Sequence, residues 1–468
     1  MADIYMPSDE AELSSFVEAA NAGNYPLEVC GFRSKREAGR PVNPAAVVST
    51  AKLSGITFYE PGELVISAKA GTPLHEVEAA LARKNQELPF EPADFSRLYG
   101  PDPMAASLGS VAALNISGPR RILRGAARDY LLGIRAVNGE GVSIKAGGRV
   151  KKNVTGVDLV KGLCGSWGTL AVLTELTFKV LPKAREARTL VFFGLSDEAG
   201  VGVMSEALGT PYEVSGTIHL HSSFAGRLND AEIASANAAL TALRVEGAPE
   251  SVAYRMEKLR RQLSPFGHTY ELDHQRSRNF WADIRSLVFL SANFGRPLWR
   301  ITVAPSKAAR IVRALSAFFD FSAAYEWSGG LLWLETPPSS EASVTELRRV
   351  LAEFEADSML MRAPRSVRSS IEVFHPLPLT KMKLVQAIKK ALIRRASSIP
   401  DACMRGSENH GNALHSRTAA RFSPEGSRRY LEALHPLRLL HRCLPDISSA
   451  RRRTRQPEGP HLSHQGDA

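Results

Sequence analysis

The chain has 468 residues, 44% hydrophobic and 23% charged, with a formal net charge of +11, a composition that expects a soluble globular protein of roughly two to four domains. No apolar run approaches the roughly 18 residues of a membrane span, the acidic start M-A-D-I-Y-M-P-S-D-E is no signal peptide, and Cys30, Cys164, Cys403 and Cys443 include no C-x-x-C pair, which disfavours a disulfide framework or zinc site and fits a reducing cytoplasm. The charge invites a nucleic-acid partner, but 13 Arg, no Lys and 7 acidic residues from Leu392 onward account for +6 of it; the basicity is largely a property of the tail and no nucleic-acid partner is expected.

Pro7-Ser8-Asp9-Glu10 reads as a helix start, with a capping hydroxyl and two acids in the first turn, and Leu13, Phe16, Val17 and Ala20 continue it as an amphipathic helix ending near Gly23. A short strand through Leu27 and Val29 runs into Gly31-Phe32-Arg33-Ser34-Lys35. Next, the alternating strand Leu64–Ala70 leads to Gly71-Thr72-Pro73-Leu74, where Thr72 suits an N-cap and Pro73 the first helical position. Strand, glycine and exposed helix start present N–H groups to a phosphate, although purely structural βα units share the layout. A third loop, Pro103 to Arg121, is rich in small residues that allow close backbone approach. After Arg128-Asp129 a strand from Leu131 to Val137 turns at Asn138-Gly139, a type I′ signal, and returns through Val142 and Ile144.

The stretch Lys151–Pro182 closes this part. A short apolar turn, Val157 to Leu163, meets Gly165-Ser166-Trp167-Gly168. The strand Leu170–Leu181 then alternates, with Val172, Thr174, Leu176, Phe178 and Val180 on one face and Leu173, Glu175, Thr177 and Lys179 on the other. Beyond Lys183, strands are expected at Thr189–Leu195, Glu213–His221, Leu298–Ala304 and Gly330–Glu335. Helices are expected at Ser251–Leu263, Ser306–Phe319 and Ser343–Phe354, a separate α+β region with a mostly antiparallel sheet. His219 and His221 share a strand face but lack a third metal ligand; no metal is expected. Trp299, Trp327 and Trp333 read as core. Walker A, G-x-G-x-x-G, H-E-x-x-H and G-x-S-x-G motifs are absent, which disfavours a nicotinamide Rossmann domain.

Six strings occur in order: A-G-T-P-L (70–74), L-P-F-E-P (88–92), S-G-P-R-R (117–121), R-D-Y-L-L-G (128–133), K-N-V-T-G-V-D-L (152–159) and G-S-W-G-T-L (165–170). With L-W-R-I-T-V-A-P (298–305) and V-F-H-P-L-P (373–378) they resemble the FAD-binding subunits of bacterial glycolate oxidase. These are the smaller flavin-type subunits of a three-subunit complex, in the vanillyl-alcohol-oxidase (PCMH-type) flavoprotein group. The resemblance covers about residues 1–390. It implies an α+β fold with a PCMH-type FAD-binding domain over 1–182, made of two α+β subdomains at about 1–60 and 61–182. A smaller, ferredoxin-like α+β domain over 183–391 and a disordered tail over 392–468 would follow.

The resemblance also implies a non-covalent FAD site. Gly31, Ser34, Lys35, Gly71 and Thr72 fall in pyrophosphate-side loops, Gly109, Ser110, Ser117 and Gly118 along the pyrophosphate and ring, and Gly165, Gly168 and Leu170 offer backbone to the flavin, with Asp129 joining them. In one departure, the family's usual G-G-G-S-K loop reads Gly31-Phe32-Arg33-Ser34-Lys35 here. Arg33 can pair with phosphate, while Phe32 is set to force a positive-φ position or block the approach. The implied partners are a larger flavin subunit, an iron–sulfur subunit and a small 2-hydroxy acid, in the cytoplasm or at a membrane through the complex. Catalytic residues are not identifiable; Arg120, Arg121 and Arg300 are the basic candidates. A standalone FAD oxidase of another 2-hydroxy acid or alcohol, and a structural subunit without FAD, are the alternatives.

After Ala391 lysine vanishes and periodicity dissolves. Read from the third base of each codon, Ala391–Arg405 can encode F-D-P-A-G-I-F-N-P-G-R-M-Y, the terminus expected of the family. Read from the second base, Leu434–Ser448 can encode C-I-H-C-G-F-C-T-A-A-C-P-T-Y, which resembles an iron–sulfur motif of the third subunit. The expectation is a single-base insertion or deletion near codons 391–392, with the remaining residues out of frame.

Overall fold

The computed structural model describes residues 4–149, 158–338 and 341–392. Residues 152–157 of the fifth motif and the tail beyond 392, with its out-of-frame reading, lie outside the described residues. Among the described residues no helix is long and apolar enough to cross a membrane.

Three strands, β1 (Ile4–Tyr5), β2 (Leu27–Cys30) and β3 (Ala46–Ser49), form a small parallel sheet in the order β1-β3-β2. The helix Glu10–Ala22 covers it. Asp9, and not the Ser8 hydroxyl, caps this helix by accepting from the Glu12 N–H at 2.8 Å, the Ser8 hydroxyl donating to the Glu12 carboxylate instead, and Gly23 ends it. Leu13, Val17 and Ala20 bury against Leu27, Ala46 and Val48, and also against Val137 and Val172 of the next sheet. The helix is thereby wedged between two sheets.

The next strands are β4 (Ile56–Glu60), β5 (Val65–Lys69), β6 (Gln86–Glu87), β7 (Leu131–Asn138), β8 (Ser143–Gly147), β9 (Ala171–Lys179) and β10 (Leu181–Pro182). β6 pairs with β10, and the others form an antiparallel sheet in the order β4-β5-β9-β7-β8. Two turn expectations are corrected. No I′ turn forms at Asn138-Gly139; the Asn138 side chain accepts from the Glu140 and Val142 N–H groups, and Gly141 takes the positive φ, 81°. Thr72 does not cap the helix Leu74–Ala82, because its hydroxyl is bonded to the backbone of Gly55 and Lys69.

The alternation read in β9 is corrected too. Its register with β7 pairs Arg135 with Glu175 and Ala136 with Leu173, passing over Thr174. This bulge reverses the side-chain phase. Val172 joins the cluster under the first helix and the Thr174 hydroxyl donates to Glu10 at 2.6 Å, whereas Leu173, Leu176 and Phe178 share the opposite core. A central strand covered on both faces carries apolar residues on both.

The largest sheet uses β11 (Glu186–Phe193), β12 (Val214–Leu220), β13 (Leu240–Gly247), β14 (Tyr270–Leu272), β15 (Leu298–Thr302), β16 (Ser322–Glu326), β17 (Leu331–Glu335) and β18 (Asp357–Arg362). Their order is β14-β11-β13-β12-β16-β17-β15-β18, antiparallel throughout. Each half is a β-α-β-β-α-β unit with spatial order 4-1-3-2, and the halves meet through their second strands, β12 and β16. One face is covered by the helices Asp197–Leu208, Pro249–Leu263, Ala308–Leu315 and Glu341–Glu353, around Leu243, Trp299 and Leu332. Ile218, Ala242 and Trp333 on the other face share a core with Phe90 and Phe178. His219 and His221 are both bonded to Asp197 at 3.2 and 3.0 Å, and among the described residues no group of three or more His, Cys, Asp or Glu is placed to hold a metal.

Candidate functional site

The loop after β2 forms one wall of a cavity of about 260 Å³. Gly31, Ser34, Lys35, Gly109, Ser110 and Gly168 all line it, so three distant stretches of the expected site converge. The walls are tight because side chains are missing where backbones meet. A Cβ on Gly31 would lie 2.6 Å from the Ser107 hydroxyl oxygen, and one on Gly109 would lie 2.8 Å from the Ala70 carbonyl oxygen. Ser107 accepts from the Ser110 N–H at 3.2 Å and sets the start of the short helix Leu108–Ala113.

Lys35 is a cation of the cavity wall. Its ammonium donates to the hydroxyls of Ser34 and Ser110, each at 3.2 Å, and pairs with no carboxylate at bonding distance among the described residues. Burial pushes its pKa down to about 8, with the Asp94 carboxylate acting in the opposite direction. A desolvated cation ringed by hydroxyls and small residues suits a phosphate-bearing ligand.

The altered loop behaves differently from expectation. Arg33, and not Phe32, takes the positive φ, 63°, so the residue bearing the backbone strain is the arginine. Phe32 and Arg33 both line the cavity. Arg36 is drawn off towards Glu28 at 3.6 Å.

The remaining expected residues lie outside the cavity lining. The Gly71 N–H donates to the Leu53 carbonyl at 2.8 Å, and Thr72 is fully buried. The Gly118 N–H donates to the Phe90 carbonyl at 3.0 Å, while its own carbonyl accepts from the Trp327 indole at 3.1 Å; Ser117 precedes it. The Gly165 N–H donates to Ala112, Leu170 packs on the main core, and the Asp129 carboxylate accepts from the Ala126 N–H at 2.8 Å.

Two wall residues had no sequence signal. Arg365 and Arg368 line the cavity from the far end of the chain. Arg368 is 2% exposed, and its guanidinium donates to the Gly39 carbonyl at 3.1 Å and pairs with Glu37. This pair ties the loop after β2 to the region of the large sheet.

The three basic candidates separate clearly. Arg120 is committed to a buried network, with Glu87 at 2.7 Å, Glu246 at 2.7 Å and Glu91 at 3.8 Å. Arg244 completes it by forking onto Glu91 at 2.7 and 3.0 Å. Burial pushes the Glu87 carboxyl up, whereas in Glu246 the Arg244 and Arg120 guanidiniums outweigh burial and hold the carboxyl well below its usual range. Arg121 sits 3.6 Å from Asp129 and near the Trp327 ring. Arg300 also lies against that ring, 5.3 Å from its centroid.

Residues 2–147 match the model of the FAD binding domain family. The chain is 33% identical over 322 residues to glycolate oxidase subunit GlcE of Escherichia coli, covering 68% of this chain and 79% of that one. It is 29% identical over 188 residues to a D-lactate dehydrogenase of Archaeoglobus fulgidus, 40% of each chain. In fold it is similar to an alkyldihydroxyacetonephosphate synthase, with TM-score 0.65 at 13% identity over 85% of this chain and 75% of that one. The chain therefore belongs to the FAD-binding oxidoreductase family with the PCMH-type fold that includes glycolate oxidase subunit GlcE.

Proposed function

We propose that this chain is the FAD-binding subunit of a complex that oxidises glycolate or a closely related 2-hydroxy acid, with a larger flavin subunit and an iron–sulfur subunit as partners. The match to GlcE over 79% of that protein's length carries the reading. FAD, when bound, supplies a hydride acceptor. The chain's own part is to hold it. Lys35, Ser34 and Ser110 offer a cation and two hydroxyls to the diphosphate, and the bare backbones at Gly31 and Gly109 leave room for it. Gly168 and Trp167 also line the cavity. Gly71, Thr72, Ser117, Gly118, Gly165, Leu170 and Asp129 remain cofactor-binding candidates that lie outside the lining of this cavity.

The Arg368–Glu37 pair closes the cavity from the region of the large sheet. Neither cysteine among the described residues fits a nucleophilic role: burial pushes the Cys164 thiol up to about 12 and the Cys30 thiol up to about 11.

The test is reconstitution of the purified chain with FAD, alone and with its two partners. The expected outcome is stoichiometric flavin absorbance in the chain alone, and bleaching by glycolate in the assembled complex. A chain without flavin bands after reconstitution, or a complex whose flavin glycolate leaves oxidised, would refute the reading.

A further inference from the structure

Two stretches of the cavity lining lie far apart in sequence: the loop of residues 31–45 after β2, and the turn before β9 that carries Trp167 and Gly168. Neither contains helix or strand. Each holds a non-glycine lining residue in the left-handed region, Arg33 at φ 63° and Trp167 at φ 59°. Such conformations persist only where neighbours impose them. One short segment, residues 364–374, supplies a neighbour to both stretches. The Arg368 guanidinium donates to the Gly39 carbonyl at 3.1 Å and pairs with Glu37 in the middle of the loop. The Phe374 ring meets the Trp167 ring edge-on, at 88° with centroids 5.2 Å apart.

The segment itself is rooted in the region of the large sheet. It follows β18, and Ile371 and Val373 bury in the core under the helices of that sheet. The Leu360 N–H donates to the Val373 carbonyl at 2.8 Å, and Arg348 donates to the Glu372 and Phe374 carbonyls at 2.8 and 3.0 Å. A further bond from Arg368 to the Ala363 carbonyl, at 3.1 Å, fixes the direction of its guanidinium. The segment is thus a well-held arm that reaches two stretches of lining. Neither tie uses Lys35, Ser34 or Ser110, the groups offered to the diphosphate. The arm holds the lining and not the ligand.

We propose that residues 364–374 form a strap that gates the cofactor, with Arg368 and Phe374 as positioning residues that set the rate at which FAD is exchanged. The proposal rests on the reading of the cavity as the diphosphate site of FAD. Because both ties join protein to protein, they have to open for entry and for exit alike. Removing one therefore speeds both steps and moves the affinity less than either rate.

Stopped-flow flavin fluorescence on the full-length purified chain measures FAD uptake, and dilution of the loaded chain measures release. Arg368→Met should raise both rates roughly tenfold, the scale of one lost hydrogen bond to a charged group, and Arg368→Lys should recover part of the effect. Phe374→Ala should raise both about threefold, the worth of an edge-to-face ring pair. Faster release with unchanged uptake in Arg368→Met would overturn the gate, because Arg368 would then act on affinity alone. Two unchanged rates would overturn it as well. If Arg368→Met does not fold, Glu37→Gln cuts the same tie at an exposed residue and carries the decision. Hydrogen exchange reads the strap without cofactor. The Arg36 and Ala38 N–H groups, bonded to the Arg33 and Lys35 carbonyls, should exchange faster in either variant while β7 and β9 keep their protection. Unchanged exchange at those two amides would refute the tie. Faster exchange there in a chain that takes up no FAD would support the strap while refuting the cofactor reading.

Discussion

Lys35 shows how one side chain sets the character of the cavity. Its ammonium is desolvated and meets only hydroxyls, so its pKa falls to about 8 from the ordinary lysine value of about 10.4. Between those two pH values the unfolded chain still holds a proton that the folded chain has released. The contribution of this group to apo-protein stability therefore grows as pH rises across that window and is lost as pH falls through about 8. A bound diphosphate favours the charged form and reverses the trend for binding. FAD affinity is expected to fall as pH rises from 7 to 9.5, and Lys35→Met should weaken it by about 1.5–3 kcal/mol and flatten the pH profile. Fluorescence titration with FAD at several pH values measures both; an equally steep profile in Lys35→Met would assign the titration to another group. At Arg33 the left-handed backbone persists although glycine is missing. A glycine there would take this conformation freely, whereas Arg33 holds it at a cost in strain.

At the scale of elements, the buried network of Arg120, Arg244, Glu87, Glu91 and Glu246 joins the loops before β7 to strand β13. Arg120 is 7% exposed and touches three carboxylates, so its removal leaves buried charges short of a partner. Arg120→Met is expected to destabilise the protein by about 3–5 kcal/mol, seen as a lower urea midpoint. A change under about 1 kcal/mol would mean that Arg244 alone neutralises the cluster. The same network sets Arg120, held among three carboxylates, apart from its neighbour Arg121, which faces Asp129 at 3.6 Å. The bulge at Thr174 is the comparable device in β9: it sends Val172 to the first helix and Leu176 to the central core, so one strand serves two layers.

At the scale of the molecule, the cavity is shared. Its walls come from the first sheet, the second sheet and the helix Arg365–Ser370, and Arg368 reaches back to the loop after β2. Ligand binding in such a cavity should stabilise the large sheet as well as the cofactor loops. Trp281, Trp299, Trp327 and Trp333 are all buried in that sheet or against it, so their fluorescence reports its unfolding. Saturation with FAD at about 100 times its Kd is expected to raise stability by about 2.7 kcal/mol in a fluorescence-monitored urea melt. An unshifted midpoint in a flavin-loaded sample would mean that the sheet unfolds independently of the cavity.

Local chemistry was enough for much of this protein. The helix start at Pro7–Glu10, the glycine loops, the small-residue run around Gly109 and the ordered motifs from Ala70 to Leu170 are short-range patterns, and the resemblance carried by those motifs implied the fold and the cofactor. Strands β13, β14, β16 and β18 were not legible. β16 reads Ser-Ala-Ala-Tyr-Glu, with little β preference of its own, and is held by neighbours on both sides. The mirrored halves of the large sheet were hidden for the same reason. Which of several similar residues does what was equally beyond reach. Arg120, Arg121 and Arg300 are alike in sequence, but pairing and burial depend on residues more than 100 positions away, as with Arg120 and Glu246 or Arg368 and Glu37. The stretch that ends in β9 carries both lessons. Its glycines and alternation indicated a tight turn and a strand, to which only the resemblance added a ligand, whereas its bulge, its two buried faces and its place beside the cavity follow only from long-range packing.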